Sequence, residues 1–336
     1  MHDTVGLPNG KMGYGLMRYG VAPVVVVIDR AHAGGNLAEL TGIPCGAPIV
    51  ATVREALTYS PDTVVPAIAP PGGALPADWW ADIKEAVGAG MSLVNGLHRP
   101  LANDPELAPL LQSGRFIWDI RQEPEGLDNG MGRAKELACR RVLFVGTDMA
   151  CGKMTAALEL HREALMRGMR SRFVATGQIG IAIAGEGVPL DSVRIDFATG
   201  AVEREVMRQG SEADVLWIEG QGSLLHPAST ATLALMRGAV PTDLILVHRA
   251  GQQHIARSNE VRIPPLRDVI ALNEQVCSAA GALPPARVRG IALNCGRMSD
   301  EEVRTAVANT EFATGLAAAD AVRPGGAAKL LDSLDS

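Results

Sequence analysis

The stretch from Arg141 to Arg167 constrains the chain more than any other. Arg141-Val142-Leu143-Phe144-Val145 is a short apolar run that reads as a buried strand. Ala156–Arg167 carries a helical pattern. Between them lies Gly146-Thr147-Asp148-Met149-Ala150-Cys151-Gly152-Lys153-Met154-Thr155. A glycine-rich turn feeding a helix N-terminus converges backbone N–H groups on one spot, where the helix dipole favours an anion. Lys153 adds a full positive charge. Strand, glycine-rich loop and helix in this order predict a phosphate-binding P-loop. Its expected cofactor-binding residues are Gly146, Thr147, Asp148, Cys151, Gly152, Lys153, Met154 and Thr155.

The loop departs from the common GxxxxGK[ST] pattern in two ways. Five residues, not four, separate Gly146 from Gly152, and Met154 follows Lys153 where nucleotide hydrolases place the hydroxyl that holds Mg²⁺. Thr155 lies one residue later, about 100° further round the helix, so it does not inherit that role. Phosphate binding is expected; tight Mg-ATP binding is not. The longer spacing resembles the Gly-Thr-Asp-x-x-x-Gly-Lys variant of dethiobiotin synthetase and its relatives. Cys151 sits at the helix N-terminus, where thiols become nucleophilic, but a small loop filler is the simpler role.

Around this motif the chain alternates strand, loop and helix. Strands are expected at Val24–Ile28, Ile49–Ala51, Thr63–Ile68, Ser92–Val94 and Phe116–Ile120, with helices at Val53–Tyr59 and Trp79–Ala89. This is Rossmann-like alternation. Gln122–Gly132 is rich in turn formers and reads as a linker. Further strands are expected at Arg172–Thr176, Asp214–Ile218, Leu244–Val247 and Ile291–Leu293. The predicted architecture is α/β: a Rossmann-like domain over residues 1–130 and a P-loop NTPase-like domain with a mostly parallel sheet over 131–336.

Other candidate residues lie at strand ends, the edge where α/β sheets bind ligands. Glu219 ends a core strand and is followed by Gly220-Gln221-Gly222. It is a candidate base, metal ligand or holder of a substrate amine. Thr176-Gly177-Gln178 offers neutral hydrogen-bonding groups on an approachable backbone. Asp196 and Glu203 could bind an amine or could simply be solvated. His226 follows Glu219 by seven residues, and His248 and His254 flank Arg249-Ala250-Gly251-Gln252. Histidine is the commonest general base near neutral pH. Asp29, Pro70-Pro71-Gly72-Gly73 and Asn95–Arg99 hold corresponding positions in the first half. That half has no GxGxxG, so the sequence gives no firm ground for a dinucleotide site.

Bulk properties exclude several classes. The net charge of −6 speaks against nucleic-acid binding. No apolar run reaches the roughly 18 residues of a membrane span, and Met1–Lys11 has no signal-peptide core. The five scattered cysteines include no CxxC pair, so neither a disulfide framework nor a zinc site is expected. Reduced thiols in a cytoplasm fit better.

The motifs together resemble one family. Lys11 with Arg18-Tyr19, Ile28-Asp29 with Ala33-Gly34, Ile68-Ala69-Pro70 with Gly72-Gly73, the Gly146–Thr155 loop, Thr176-Gly177-Gln178 with Gly180, Asp196-Phe197 with Gly200-Ala201 and Glu203, and Glu219-Gly220-Gln221-Gly222 occur in this order. The string is similar to the bacterial DgcN-like family, with a Rossmann-like domain, a P-loop domain and D-glutamate N-acetyltransferase activity. The resemblance covers nearly the whole chain, and Lys153-Met154-Thr155 is the family's own form. It implies an acetyltransferase of amino-acid catabolism that uses acetyl-CoA and D-glutamate or a related amino acid; apart from the resemblance, a homo-oligomer without a metal is expected. A P-loop that only grips the phosphates of acetyl-CoA has no need of the magnesium hydroxyl. Position then suggests Glu219 and His226 as catalytic residues, and Thr176, Gln178, Asp196, Glu203 and Gln221 as substrate-binding ones. The rival readings are an ATP-dependent ligase or kinase of the dethiobiotin synthetase type, and a nucleotide sensor without catalysis.

Overall fold

The computed structural model describes residues 1–68, 75, 77–256 and 258–335. It divides into two compact units. The first comprises Met1–Glu123 with Gln178–Ser192, and the second comprises Pro124–Gly177 with Val193–Ser336. The expected boundary at residue 130 therefore moves to 123. The segment after Gly177, read from sequence as part of the second domain, returns to the first unit.

In the first unit, in chain order, are α1 (Lys11–Tyr19), β1 (Val27–Ile28), α2 (Leu37–Thr41), β2 (Ile49–Val50), α3 (Val53–Leu57), β3 (Thr63–Val64), α4 (Ala77–Gly88), β4 (Ser92–Asn95) and β5 (Ile117–Asp119). The Asn36 and Thr52 side chains cap α2 and α3 by accepting backbone N–H bonds. All strand pairing here is parallel, but it forms two separate sheets, β1–β2 and β3–β4–β5. The expected strands Val24–Ile28 and Thr63–Ile68 are each cut to two residues. Pro66 has no N–H to donate to a ladder, and no ladder joins β1 to β3. The expected ligand-edge loop Pro70–Gly73 lies outside the described residues.

Asp29, also expected at that edge, is instead a buried brace. Its carboxylate accepts the N–H groups of Thr4 and Val5 at 3.1 and 2.9 Å and of His32 at 3.2 Å. Burial works against its charge, but these donors and the His32 ring outweigh it and hold the carboxyl below its ordinary range. Asn95 is likewise committed, donating to Arg99 O and to Asp119.

In the second unit β6 (Arg140–Gly146) leads through the loop to α5 (Lys153–Met166) and β7 (Ser171–Val174). The chain then gives α6 (Gln178–Ala184) to the first unit. It comes back with α7 (Ile195–Gly210), β8 (Val215–Ile218), α8 (Ala231–Ala239), β9 (Asp243–Arg249), the hairpin β10 (His254–Ile255) and β11 (Ser258–Arg262), α9 (Leu266–Ser278), β12 (Arg287–Asn294), α10 (Asp300–Thr314), β13 (Ala317–Ala319) and α11 (Gly326–Asp332). Six strands form a wholly parallel sheet in the order β7-β8-β6-β9-β12-β13. β6 lies at its centre, with Leu143 opposite Ile218 and Gly146 opposite Val247. Val142–Val145, Val215–Ile218 and Leu244–Val247 are fully buried, as continuous apolar strands covered on both faces must be. The strand order reverses at β6, so the P-loop opens at the switch point of the sheet.

The supposed linker is packed rather than loose. Glu203 on α7 is fully buried, and its carboxylate accepts the N–H groups of Met131 and Arg133 at 3.0 and 2.8 Å and Arg133 Nε at 2.8 Å. It clamps the chain entering the domain, and this corrects its expected role in substrate binding. Asp196 lies two turns earlier on the same helix and is exposed.

Two histidines lie in this interior. His161 Nδ1 is 2.7 Å from Ser171 Oγ, which also accepts Trp217 Nε1–H at 2.8 Å. Burial, aided by Arg172, lowers the His161 pKa to about 4, and burial alone does the same to His248.

Replacing Glu203 with Ala strands three donors and is expected to lower unfolding free energy by about 2–3 kcal/mol in urea titrations. The histidines set a pH dependence. They are neutral when folded but protonate near 6.5 when unfolded, so stability is full above pH ~6.5 and falls toward pH ~4. His161→Gln should flatten that fall in urea midpoints, and His248 should sustain what remains.

Candidate active site at the P-loop

The loop is shaped by backbone conformations set by its own residues. Gly152 precedes α5 with φ of +119°, a region that disfavours any side chain, and Ala150 is left-handed at +51°. Neighbouring strand ends tie the loop down. Asn294 Nδ2, at the end of β12, donates to Cys151 O at 2.9 Å, and Arg249 Nη2, at the end of β9, donates to Ala150 O at 3.2 Å. Thr147 N–H joins Val247 O at 3.1 Å, and its hydroxyl meets His248 Nδ1 at 3.0 Å. Sequence reading did not single out Asn294 or Arg249 as site residues. Their only signal is their place at the carboxyl ends of strands.

Lys153 is 6% exposed. Its ammonium group donates to Asp148 O at 2.8 Å and lies 3.7 Å from Cys151 Sγ. Both partners are neutral acceptors, and among the described residues Lys153 makes no ion pair. A buried cation in this state is poorly compensated, so the chemistry of the loop suits an anion. Cys151 points inward, its Sγ 3.5 Å from Val247 O, and fills the loop.

Asp148 serves the loop rather than a ligand. It is almost wholly buried. Its Oδ2 accepts Gln252 Nε2 at 2.6 Å and Ala256 N at 2.8 Å, which locks the segment after β9 to the P-loop. Oδ1 accepts Met149 N at 2.6 Å and lies 4.0 Å from His226 Nε2. On the other side of the imidazole, Nδ1 accepts Ala228 N–H at 3.1 Å. An Nδ1 that accepts must be unprotonated, so the ring proton of neutral His226 sits on Nε2, toward Asp148.

Glu219 is buried at the end of β8. Its Oε2 accepts Thr176 N at 2.9 Å and Gly177 N at 3.1 Å, and Thr176 Oγ1 donates to Glu219 O at 2.7 Å. A Cβ on Gly177 would stand 2.4 Å from Gln221 Nε2 and 3.4 Å from Glu219 Oε1, so Glu219, Gly177 and Gln221 meet at one point. Gly220 connects this cluster to the P-loop. A Cβ there would fall 1.6 Å from Phe144 O and 2.8 Å from Lys153 Cδ, so only glycine lets the turn lie against β6 and the lysine stem. The fold thus brings Lys153, Glu219, Gln221 and Thr176 together at the carboxyl edge of the sheet. It leaves Asp196 on the surface of α7 and Glu203 in the clamp described above. Gln178 opens α6, in the first unit.

The set is chemically suited to a phosphate. Hard divalent cations take oxygen ligands, and position 154 offers a thioether. Among the described residues no group of three His, Cys, Asp or Glu side chains could hold a metal, and no helix is long and apolar enough to cross a membrane.

Comparison with known proteins agrees with both halves. Residues 30–123 match the family model "Domain of unknown function (DUF1611_N) Rossmann-like domain", and residues 128–331 match "Domain of unknown function (DUF1611_C) P-loop domain". A protein of Tritonibacter scottomollicae named D-glutamate N-acetyltransferase is 35% identical over 314 residues, covering 90% of each chain. One of the same name from a Pseudoalteromonas species is 33% identical over 276 residues, covering 82% of each. The crystal structure of a DUF1611 family protein from Anabaena variabilis superposes with a TM-score of 0.97 at 54% identity, covering 99% of this chain and 97% of that one. With both family domains in order along the chain and these relatives aligned over most of its length, the protein belongs to the DUF1611 family, built from a Rossmann-like domain followed by a P-loop domain.

Proposed function

We propose that this protein transfers an acetyl group from acetyl-CoA to the amine of D-glutamate or a closely related amino acid. The observation that carries this reading is the buried Lys153 ammonium with only neutral partners, in a loop whose next residue is Met154. Such a loop is suited to gripping the phosphates of a carrier and ill suited to presenting Mg-ATP for cleavage. The names of the relatives from Tritonibacter and Pseudoalteromonas support the choice of acceptor.

Bound acetyl-CoA supplies a thioester whose carbonyl carbon is open to attack. The residues of this chain supply the rest. Lys153 and the loop N–H groups hold phosphate. Glu219, with Oε2 pinned by Thr176 and Gly177, takes a proton from the substrate ammonium through Oε1 on the Gln221 side. The freed amine forms the C–N bond, the C–S bond breaks, and the sulfur leaves as the thiolate of CoA, which takes up the second proton that the nitrogen sheds on becoming an amide. Glu219 takes precedence over His226 as base because the His226 ring offers Nδ1 to Ala228 and turns its Nε2 proton toward Asp148. The Gly177 N–H is spent on Glu219, so it is not an oxyanion donor.

Thiol release from acetyl-CoA with D-glutamate tests this directly. Glu219→Gln is expected to lower kcat by about 10²–10⁴-fold without loss of folding, and Lys153→Ala should chiefly raise KM for acetyl-CoA. ADP formation from Mg-ATP, with no thiol released on any amino acid, would establish the ligase or kinase reading instead.

A further inference from the structure

The first unit holds a second, separate feature. Its strands form two separate parallel sheets, β1–β2 and β3–β4–β5, and residues of β1 and β3 face one cavity; joined edge to edge there they would run 2-1-3-4-5, with the switch point, where open α/β sheets take their ligands, between β1 and β3. A cavity of about 490 Å³ lies there, bounded by Val24–Ile28 on one side and Ser60–Ala67 on the other. That is within the usual range of small-molecule pockets, roughly 300–1,000 Å³. Trp79, Ile83, Met91 and Phe116 add to its walls. Val25, expected from sequence to be buried in a strand, is 40% exposed.

The two edges carry unused backbone groups. Val27 N and Asp29 N donate to Pro48 O and Val50 O, so the main chain of Val26, one residue out of phase, turns away from β2. Asp62 O accepts Ser92 N, so Val65, three residues on and also out of phase, turns away from β4. Among the described residues neither Val26 nor Val65 makes a backbone hydrogen bond. The slot therefore has largely apolar walls and two strand edges, each able to give one N–H and one C=O. A pure hydrocarbon would leave those groups buried and unpaired, which is unfavourable. An extended aliphatic chain with amides spaced along it satisfies both demands, in the manner of strand addition.

We infer that the β1–β3 slot binds an extended diamide chain of the pantetheine type, pairing its amides with the main chain of Val26 and Val65. The choice of pantetheine among such diamides rests on the acyl-transfer reading above; the slot itself rests on the two strand edges that face one cavity.

The experiment uses pantetheine, which has no phosphate, with adenosine 3′,5′-bisphosphate as the phosphate probe and 1,10-decanediol as an amide-free chain. Hydrogen exchange on the full-length protein should show Val26 and Val65 amides slowed at least tenfold by pantetheine and not by decanediol. Titration calorimetry should show pantetheine binding weakened at least tenfold by Val25→Trp at the mouth and by Ala56→Phe inside, with bisphosphate binding unchanged. Lys153→Ala should do the reverse. Absence of pantetheine binding, binding that leaves Val26 and Val65 exchange unchanged, or equal affinity for decanediol overturns the slot. Because exchange is read on the unmutated protein, a variant that misfolds does not blunt the test. Failure of the bisphosphate to bind would count against the P-loop reading alone.

Discussion

A lysine ammonium buried at the end of a central strand, with a carbonyl and a thiol as its partners, is the interaction on which the second unit turns. Removing a charge from water costs several kcal/mol unless it is paired. The surrounding structure concentrates its hydrogen bonds on holding the loop in spite of that cost. Asn294 and Arg249 take loop carbonyls, Thr147 joins β9 and His248, and Asp148 anchors the segment after β9. Gly220 allows the β8 turn to lie against both β6 and the lysine stem, which brings Glu219 beside the loop.

The acids divide by what their oxygens accept. Asp29, Asp148 and Glu203 are buried, and each gathers backbone N–H groups from a segment distant in sequence, so they act as braces. Glu219 accepts two N–H groups through Oε2, and its Oε1 lies toward Gly177 and Gln221. Its position at the edge of the sheet, more than its residue type, distinguishes it. The histidines divide in the same way: His161 and His248 are held neutral by burial, while His226 spans Asp148 and the Ala228 N–H.

The first unit shows how an apolar run can mislead. Val24–Ile28 and Thr63–Ile68 have the composition of doubly buried parallel strands. Composition cannot report whether a neighbouring strand is near enough to form a ladder. Here the strands belong to two separate sheets, and residues that would have closed the core line a slot instead. Likewise Gln178–Ser192 carries no local sign that it belongs with residues more than fifty positions earlier.

The α/β class, the order of the two domains, and the P-loop between strand and helix are legible in the residues alone. These are encoded locally: apolar runs, glycine spacing and a lysine at a helix start act over a few residues. The common string of motifs also pointed to the family before any coordinates. Packing sets which acids are braces and which lies beside the P-loop, that Lys153 makes no ion pair among the described residues, and that the strands of the first unit form two sheets. Those outcomes depend on which backbone N–H groups and strand edges arrive from tens of residues away, and residue type at one position carries no record of what arrives beside it.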